Sequence, residues 1–229
     1  TKTFKTVIMT SKVTLISYSQ ASNEFEDMGL KDCQELIAYC ARVSNPSNQI
    51  NSGTSEKLIK YLINNSHWSP LEMVNVCLEI ETTRDIARQI LRHRSFSFQE
   101  FSQRYANPTK DMEFVTREAR LQDNKNRQNS IDIDDSDLQK QWNMRQQKVI
   151  DEALKTYQWA IDNGIAKEQA RVVLPEGNTK SRLYMNGTLR SWIHYIQLRA
   201  GHGTQKEHIE IAKACALVIS KIFPMADSL

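Results

Sequence analysis

The sequence predicts a single domain that mixes short β-strands with long α-helices. The chain has 229 residues, of which 40% are hydrophobic and only seven are glycine. That is enough for one sizeable core and fits one rather elongated domain better than two compact ones. Residues 73 to 81 alternate between apolar and polar types, as a half-buried strand does, whereas residues 138 to 163 repeat apolar types at helical spacing. We therefore treat residues 1–229 as one domain.

Periodicity defines the elements that come before residue 82. Residues 13 to 18 alternate as a short strand, residues 31 to 43 have one apolar helical face, and a second helix follows Gly53. The strand at residues 73 to 81 has its apolar side chains on one face: Val74, Val76, Leu78 and Ile80.

A helix with one polar face should follow this strand. The spacing Thr82-x-x-Asp85 predicts a capping box. The apolar arc holds Ile86, Ala87, Ile90 and Leu91, and the opposite arc holds Arg84, Asp85, Arg88, Gln89, Arg92 and His93. Arg94 would fall on the apolar arc, so we predict that the helix ends there and turns into a polar loop. A basic helical face is usually only a solvated surface, and periodicity alone does not decide its role.

The second half of the chain alternates between a polar stretch and helices. Residues 106 to 137 are poor in large apolar types, and we interpret them as a mobile excursion with a short helical piece near 114 to 121. The long helix at 138 to 163 should point its apolar residues inward, and these are Trp142, Val149, Ala153, Leu154, Tyr157, Ala160 and Ile161. A shorter helix at 165 to 174, one at 188 to 199, and a last helix capped by Thr204-x-x-Glu207 complete the prediction.

Composition excludes several broad classes of function. The 30 basic and 27 acidic residues give a net charge of only +3, which does not indicate binding to nucleic acid or to an acidic membrane. No run is long enough for a membrane span, and residues 1 to 10 lack a secretory core, so a cytoplasmic location is expected. The four cysteines are scattered, which indicates reduced thiols and neither a disulfide frame nor a metal site.

The most informative segment runs from Arg92 to Tyr105. It reads Arg-His-Arg, seven further residues, then Ser102, one residue, Arg104 and Tyr105. This form resembles the signature of the flavin-dependent thymidylate synthases, the thymidylate synthase complementing protein family, and in particular the versions of large DNA viruses and phages. Other matching segments lie in the same order along the chain: residues 41–44, 67–72, 170–175 and 198–200, with Gln205 and Glu207.

The resemblance implies a fold, an assembly and a reaction. The fold would be α+β, with an antiparallel sheet packed with long helices. The assembly would be a homotetramer whose active sites combine several subunits, in the host cytoplasm if the chain is viral. The reaction would convert dUMP to dTMP, with methylenetetrahydrofolate giving the carbon and NADPH reducing a bound FAD. A cysteine nucleophile is disfavoured, because each cysteine lies in an apolar or helical setting and none is followed by histidine.

The resemblance also implies roles for individual residues. Arg199 would be the catalytic residue that polarises the uracil imide, since a permanent cation stabilises developing negative charge. The dUMP site would contain it together with Arg88, Gln89, Glu100, Phe101, Ser102, Gln103, Arg104 and Arg171. The FAD site would contain Ser69, Arg92, His93, Arg94, Ser95, Glu100, Thr188, Arg190 and His194. No metal ligand is expected, and Ser102 as a nucleophile is the weaker interpretation because no paired base is evident.

Three positions depart from the commonest bacterial pattern of this family. Gln99 stands where asparagine is frequent, and Met73 and Gly203 stand where histidines are frequent. The last two put particular flavin or folate contacts in doubt. His67 and His208 fit ordinary partly buried histidines, and Phe96, Phe98 and Phe101 fit core or subunit-contact residues as well as a flavin stack.

Two other functions are compatible with parts of the sequence. The aromatic and basic segment at residues 94 to 101 could stack the bases of a single-stranded nucleic acid, although the near-neutral charge and Glu100 argue against this. A flavoprotein acting on another phosphorylated pyrimidine is the second alternative. The first predicts no bound flavin, and the second predicts bound flavin without a response to dUMP.

Overall fold

A four-stranded antiparallel sheet lies at the centre of the computed structural model, which describes residues 7–8 and 10–225. Its strands are β2 (Lys12–Tyr18), β3 (Asn75–Thr83), β4 (Ser97–Glu100) and β8 (Lys180–Thr188), in the order β2-β3-β8-β4. Short pairs form from β1 (Val7–Ile8) with β5 (Val115–Thr116), which are parallel, and from β6 (Arg120–Gln122) with β7 (Ser130–Asp132). The single-domain α+β prediction with an antiparallel sheet is confirmed.

Nine helices accompany the sheet in the described part of the chain. They are α1 (Asn23–Asp27), α2 (Cys33–Ala41), α3 (Ser55–Asn64), α4 (Arg84–Ile90), α5 (Pro108–Asp111), α6 (Ser136–Asp162), α7 (Lys167–Ala170), α8 (Leu189–Arg199) and α9 (Lys206–Ile219). Single turns of 3₁₀-helix lie at Pro46–Asn48, Ser52–Thr54, Ser69–Met73 and Arg171–Val173. None of these helices is long and apolar enough to cross a membrane.

The pairing of β3 with β8 is the longest in the sheet. It runs through nine residue pairs, from Asn75 opposite Thr188 to Thr83 opposite Lys180. The predicted alternation of β3 is confirmed, because Val76, Leu78 and Ile80 are fully buried. Strand β8 was missed by the sequence analysis, although Ser181, Leu183, Met185 and Gly187 alternate inward in the same way. Two of these four inward positions hold Ser181 and Gly187, so the apolar alternation of this segment is weak.

Helices α8 and α9 cover this sheet and complete the main core. Trp192 of α8 is fully buried, and its indole Nε1 donates to the carbonyl oxygen of Val76 at 3.0 Å. That hydrogen bond satisfies the one polar atom of the largest core side chain. Phe96 packs edge-on against Trp192, with ring centroids 4.9 Å apart. The core interpretation of Phe96 is therefore correct, and the signature segment is anchored in the core by this ring.

Two helix starts differ from the capping boxes predicted for them. Strand β3 continues through Thr83, so Thr83 and not Thr82 caps α4, and its hydroxyl donates to the Asp85 carboxylate at 2.6 Å. At α9 the cap is Gln205 and not Thr204. Glu207 turns inward and is only 6% exposed, because it pairs with Arg120. Tertiary pairing displaced both local signals.

The polar stretch at residues 106 to 137 has more regular structure than predicted. It contains α5, β5 and the hairpin of β6 and β7. The helical piece near 114 to 121 is wrong, since that segment holds β5 and the start of β6. Gln146 of α6 explains the placement of this segment: its side chain accepts from the Arg117 amide at 2.9 Å and donates to the Arg117 carbonyl at 2.8 Å.

Helix α6 matches the predicted long helix, and the predicted inward residues Ala153, Tyr157 and Ala160 are buried, whereas two others nearer its start are not. Ile150, Ala153, Tyr157 and Ala160 are buried, together with Gln146. Trp142 is 43% exposed and Val149 is 54% exposed, so their predicted inward orientation is wrong. The bonds of Gln146 to the Arg117 backbone set the rotation of the helix, and a polar anchor of this kind is invisible to apolar periodicity.

Gly187 leaves the space that the Phe96 ring occupies. A Cβ at position 187 would lie 2.4 Å from Phe96 Cδ1, below any ordinary contact. We expect Gly187→Ala to lower the free energy of unfolding by about 1–3 kcal/mol through overpacking. Urea denaturation measures this, with Gly53→Ala as the control because its nearest contact is 3.5 Å. Equal stability of the two variants would contradict the close packing.

Candidate active site

Helix α4 carries the first half of the site. It buries Ile86, Ala87 and Ile90 and ends at Ile90, with Leu91 as its C-cap, so it stops four residues before the predicted end at Arg94. The segment from Ser97 to Glu100 is then strand β4 and not a loop. Pairing of β4 with β8 holds the signature beside the main core.

Two arginines of α4 pair with two glutamates at one end of this face. Arg84, predicted on the solvated arc, is only 7% exposed; its guanidinium lies 3.6 Å from Glu100 and 3.9 Å from Glu176. Arg88 pairs with the same Glu176 oxygen at 2.9 Å. Burial lowers the pKa of Arg84, whereas the hydrogen bond to Glu176 raises the pKa of Arg88. Glu100 also accepts from the Ser181 hydroxyl at 2.7 Å, which fixes its carboxylate.

A second pair of arginines meets around Glu168. Arg104 Nε lies 3.3 Å from the Glu168 carboxylate, and Arg171 Nε donates to the Glu168 carbonyl oxygen at 3.3 Å. The hydroxyl of Ser102 accepts from the Arg104 amide at 3.3 Å. Two guanidiniums and a nearby hydroxyl are a donor set suited to a phosphate. The structure thus brings together three residues predicted for one anion.

Phe101 and Gln103, which flank Ser102, differ in exposure and bonding. Phe101 donates its backbone amide to the Arg182 carbonyl at 2.8 Å, which extends the β4 pairing by one bond. Gln103 is 4% exposed, and among the described residues its Nε2 has no hydrogen-bond acceptor. A buried amide nitrogen without an acceptor is costly, and a bound anion would satisfy it.

Arg199 meets His93 at the opposite end of α4. The Arg199 Nε donates to His93 Nε2 at 2.9 Å, although the two residues are 106 positions apart. Burial, followed by the charges of Arg199 and Arg92, lowers the pKa of His93 to about 4. His93 is therefore neutral near pH 7, and because its Nε2 accepts, its proton sits on Nδ1. The two terminal nitrogens of Arg199 remain available to a ligand.

His208 belongs to the same site and was not assigned to it from the sequence. It is fully buried, its Nε2 lies 3.0 Å from the Tyr195 hydroxyl, and its Nδ1 lies 3.2 Å from Gln89 Oε1. Burial, with the charges of Arg199 and His93, lowers its pKa to about 3, so it is neutral. Its spacing from Ile211 and Ala212 could have shown that it is buried. Its partners lie on other helices, and no local pattern could show them.

The residues predicted for the flavin ring lie near the start of α8. Thr188 caps this helix by accepting from the Ser191 amide at 3.3 Å. Arg190 pairs with Glu72, and His194 packs edge-on against Trp68 with centroids 4.5 Å apart. Both partners belong to the segment of residues 68 to 73 in which Ser69 begins a 3₁₀-helix. Glu72 and Trp68 were not among the predicted site residues, although they lie in a segment that matched the family.

Arg92, Arg94 and Ser95 occupy the exposed turn between α4 and β4. Within the described part of the chain, neither Arg92 nor Arg94 has an ion-pair partner.

Arg190 and Arg199 stand nine residues apart on α8, a separation of about 14 Å along a helix. One chain therefore presents two separate groups: Gln89, His93 and Arg199 at one end of α8, and Ser69, Arg190 and His194 at the other.

The four cysteine thiols are poor nucleophiles in this structure. Burial raises the pKa of Cys33 to about 11 and also raises the pKa of Cys40, Cys77 and Cys215. A thiol attacks as its thiolate, and these shifts suppress the thiolate near neutral pH. The site can therefore supply guanidiniums, a hydroxyl, amides and neutral imidazoles, but not an activated thiol.

Comparisons of the sequence with known proteins identify its relatives. The family model described as "Thymidylate synthase complementing protein" matches residues 16–225. A probable flavin-dependent thymidylate synthase of Paramecium bursaria Chlorella virus 1 is 50% identical over 196 residues, 86% of this chain and 89% of the relative. The flavin-dependent thymidylate synthase of Synechocystis is 54% identical over 189 residues, 82% of this chain and 85% of the relative.

A solved structure has the same fold. The UMP/dUMP methylase PolB of Streptomyces cacaoi, bound with 5-Br dUMP, superposes with a TM-score of 0.78 at 25% identity. The match covers 95% of this chain and 93% of that one. The resemblance found in the signature thus extends over the whole described fold, and the chain belongs to the thymidylate synthase complementing protein family.

Proposed function

We propose that this chain is a flavin-dependent thymidylate synthase that makes dTMP from dUMP. The one-carbon donor is methylenetetrahydrofolate, and NADPH reduces a bound FAD. The observation that carries the proposal is the meeting of Gln89, His93 and Arg199 in one half-buried site beside a cluster of phosphate-type donors. The names of the two relatives and the dUMP analogue in the related methylase support the choice of reaction and nucleotide.

The nucleotide is held by its two ends. Ser102, Arg104 and Arg171 bind the phosphate, and in doing so the guanidiniums exchange the contacts they make with Glu168. Gln103 adds its unpaired amide to the same group. Arg88, Gln89, Glu100 and Phe101 line the path from the phosphate to the base.

Arg199 acts on the uracil ring. Its Nε is occupied by His93, which holds the guanidinium plane in place and leaves two terminal nitrogens for the imide. As the ring becomes nucleophilic, negative charge grows on the imide, and a fixed cation stabilises that charge without reorganising. A neutral His93 matters here, because a protonated ring could not accept from Arg199.

FAD fits the second group of residues. The exposed cations Arg92 and Arg94, with Ser95, suit the diphosphate of a dinucleotide, and Ser69, Thr188, Arg190 and His194 suit its flavin end. When bound, FAD accepts hydride from NADPH and passes reducing equivalents to the nucleotide. Glu100 lies between the groups, where Ser181 and Arg84 fix its carboxylate.

The proposal includes a homotetramer with active sites shared between subunits. The two groups of residues lie toward different ends of α8, and an active site that combines the flavin group of one subunit with the nucleotide group of another is consistent with this separation. Trp142 and Val149 lie seven residues apart on one side of α6 and are 43% and 54% exposed. Exposed apolar side chains at this helical spacing suit a contact between subunits.

Arg199→Ala tests the catalytic assignment. We expect dTMP formation to fall by about a hundredfold or more, because the cation that stabilises the imide is lost. The FAD absorbance of the purified variant should stay at the wild-type level. Gln197→Ala, an exposed neighbour on the same helix, is the control and should retain full turnover. Full turnover by Arg199→Ala would refute the assignment.

Arg171→Ala tests the phosphate site. We expect the dissociation constant of dUMP to rise by about tenfold or more through loss of a charge-assisted hydrogen bond. Binding of deoxyuridine, which lacks the phosphate, should not change. Calorimetric titration of both compounds gives the comparison, with the exposed Lys148→Ala as control. An equal loss for both compounds would show that Arg171 does not act on the phosphate.

Cys40→Ala and Cys77→Ala, singly and combined, test the absence of a thiol nucleophile. These two thiols are only partly buried, so their removal leaves the core intact. We expect dTMP formation at the wild-type rate, because the raised thiol pKa values leave little thiolate near pH 7. A variant that keeps its bound flavin but makes no dTMP would overturn the proposed chemistry.

A further inference from the structure

Gln89 is the middle of a continuous chain of side-chain hydrogen bonds. Its Nε2 donates to Gln205 Oε1 at 2.9 Å, and Gln205 Nε2 donates to the Glu207 carboxylate at 2.8 Å. In the other direction, Gln89 Oε1 lies 3.2 Å from His208 Nδ1, and His208 Nε2 lies 3.0 Å from the Tyr195 hydroxyl. This chain of hydrogen bonds therefore links helices α4, α8 and α9 through buried and half-buried polar groups.

The carboxylate of Glu207 fixes which partner donates and which accepts in each hydrogen bond of this series. Glu207 is 6% exposed, and Arg120 donates to its other oxygen at 2.6 Å. A carboxylate paired with a guanidinium only accepts, so Gln205 must turn its NH₂ group toward Glu207. The Gln205 oxygen then faces Gln89 and requires the NH₂ group of Gln89. Reversing the amides would place two acceptor oxygens against each other inside the protein.

The same logic continues to the other end. With its NH₂ group on Gln205, Gln89 presents its oxygen to His208, so His208 carries its proton on Nδ1. Its Nε2 then accepts from the Tyr195 hydroxyl. The pKa of His208, lowered to about 3 by burial and then by Arg199 and His93, agrees with a neutral ring having one donor and one acceptor. Tyr195 and His208 can each donate or accept, so they fit either order of donors and acceptors, whereas the Glu207 carboxylate can only accept.

Gln89 keeps one N–H and one oxygen lone pair for a ligand. An amide that offers both matches an edge with a carbonyl acceptor beside an N–H donor, as in the imide of uracil. Cytosine presents the reverse pattern, an acceptor nitrogen beside an amino group, and pairs only with a flipped amide. Arg199 stands on the same side of the site, since its partner His93 lies edge-on to His208 with ring centroids 6.5 Å apart. The uracil ring proposed for Arg199 therefore lies within reach of Gln89.

We propose that Gln205, Glu207 and His208 are positioning residues that lock the Gln89 amide in the orientation that accepts the imide edge of uracil and rejects cytosine. The inference rests on the proposed function, because it takes dUMP as the ligand of this site. It adds a specificity device whose decisive group, the Glu207 carboxylate, does not touch the nucleotide. Arg120, on the β6 strand, belongs to the device because it keeps Glu207 an acceptor.

Glu207→Gln is the sharpest test of the lock. A neutral amide at position 207 donates as well as accepts, so both directions of the chain become possible and Gln89 is free to flip. The measurement is the dissociation constant of dUMP and of dCMP for the FAD-loaded protein by calorimetry. We expect the wild-type protein to bind dUMP more tightly than dCMP. In the variant, the ratio of the two dissociation constants should fall by about tenfold, because dCMP binding is gained. Glu210→Gln, exposed on the same helix, should leave the preference unchanged.

Two further variants keep the test decisive if Glu207→Gln folds poorly. Gln205→Leu removes the acceptor of Gln89 and should weaken the preference in the same way. Glu207→Asp keeps a carboxylate and should retain most of the preference for dUMP over dCMP. A loss of affinity that is equal for dUMP and dCMP would show that these residues only support the fold, and would overturn the inference. A wild-type protein that binds neither nucleotide would overturn the proposed function itself.

Discussion

The pairing of β3 with β8 is the constraint on which the site depends. Helix α4 leaves β3 at one end of this nine-residue ladder, and helix α8 leaves β8 at the other end. The two helices therefore start far apart and run back toward each other, so that His93 and Arg199 meet where they end. A slip of one residue in the ladder would turn every inward side chain outward and separate these two groups. The register of one buried strand pair thus sets the geometry of a site built mostly from helices.

Desolvation determines the protonation states inside that geometry. His93 and His208 are held neutral by burial and by nearby guanidiniums, so each imidazole has one donor and one acceptor. Neutral rings and amides surround Arg199, whereas the arginine clusters use permanent charges balanced by Glu100, Glu168 and Glu176. This division suits the proposed ligand, a nucleotide, which is neutral at one end and charged at the other.

The sequence predicted those elements whose local pattern and tertiary role agree. Strand β3, helix α8 and the bounds of α6 follow from apolar periodicity, and the signature located most of the donors. Strand β8 was missed because two of its four inward positions hold Ser181 and Gly187, and the inward orientation of Trp142 and Val149 was wrong because the nearby Gln146 is buried instead, through its bonds to the backbone of Arg117. The position of His208 beside Gln89 was out of reach, since 119 positions separate the two residues and only the packing of α9 joins them.

The carboxylates that hold the arginine cluster also determine what else the surface attracts. Arg84, Arg88, Arg104 and Arg171 are matched by three glutamates, so the cluster projects little field beyond a few ångströms in salt. A long polyanion gains from many weak phosphate contacts with unpaired cations, and here most of those cations are already engaged. The paired cluster therefore offers a long polyanion few free cations, whereas the phosphate of the proposed mononucleotide is small enough to displace the glutamates one at a time.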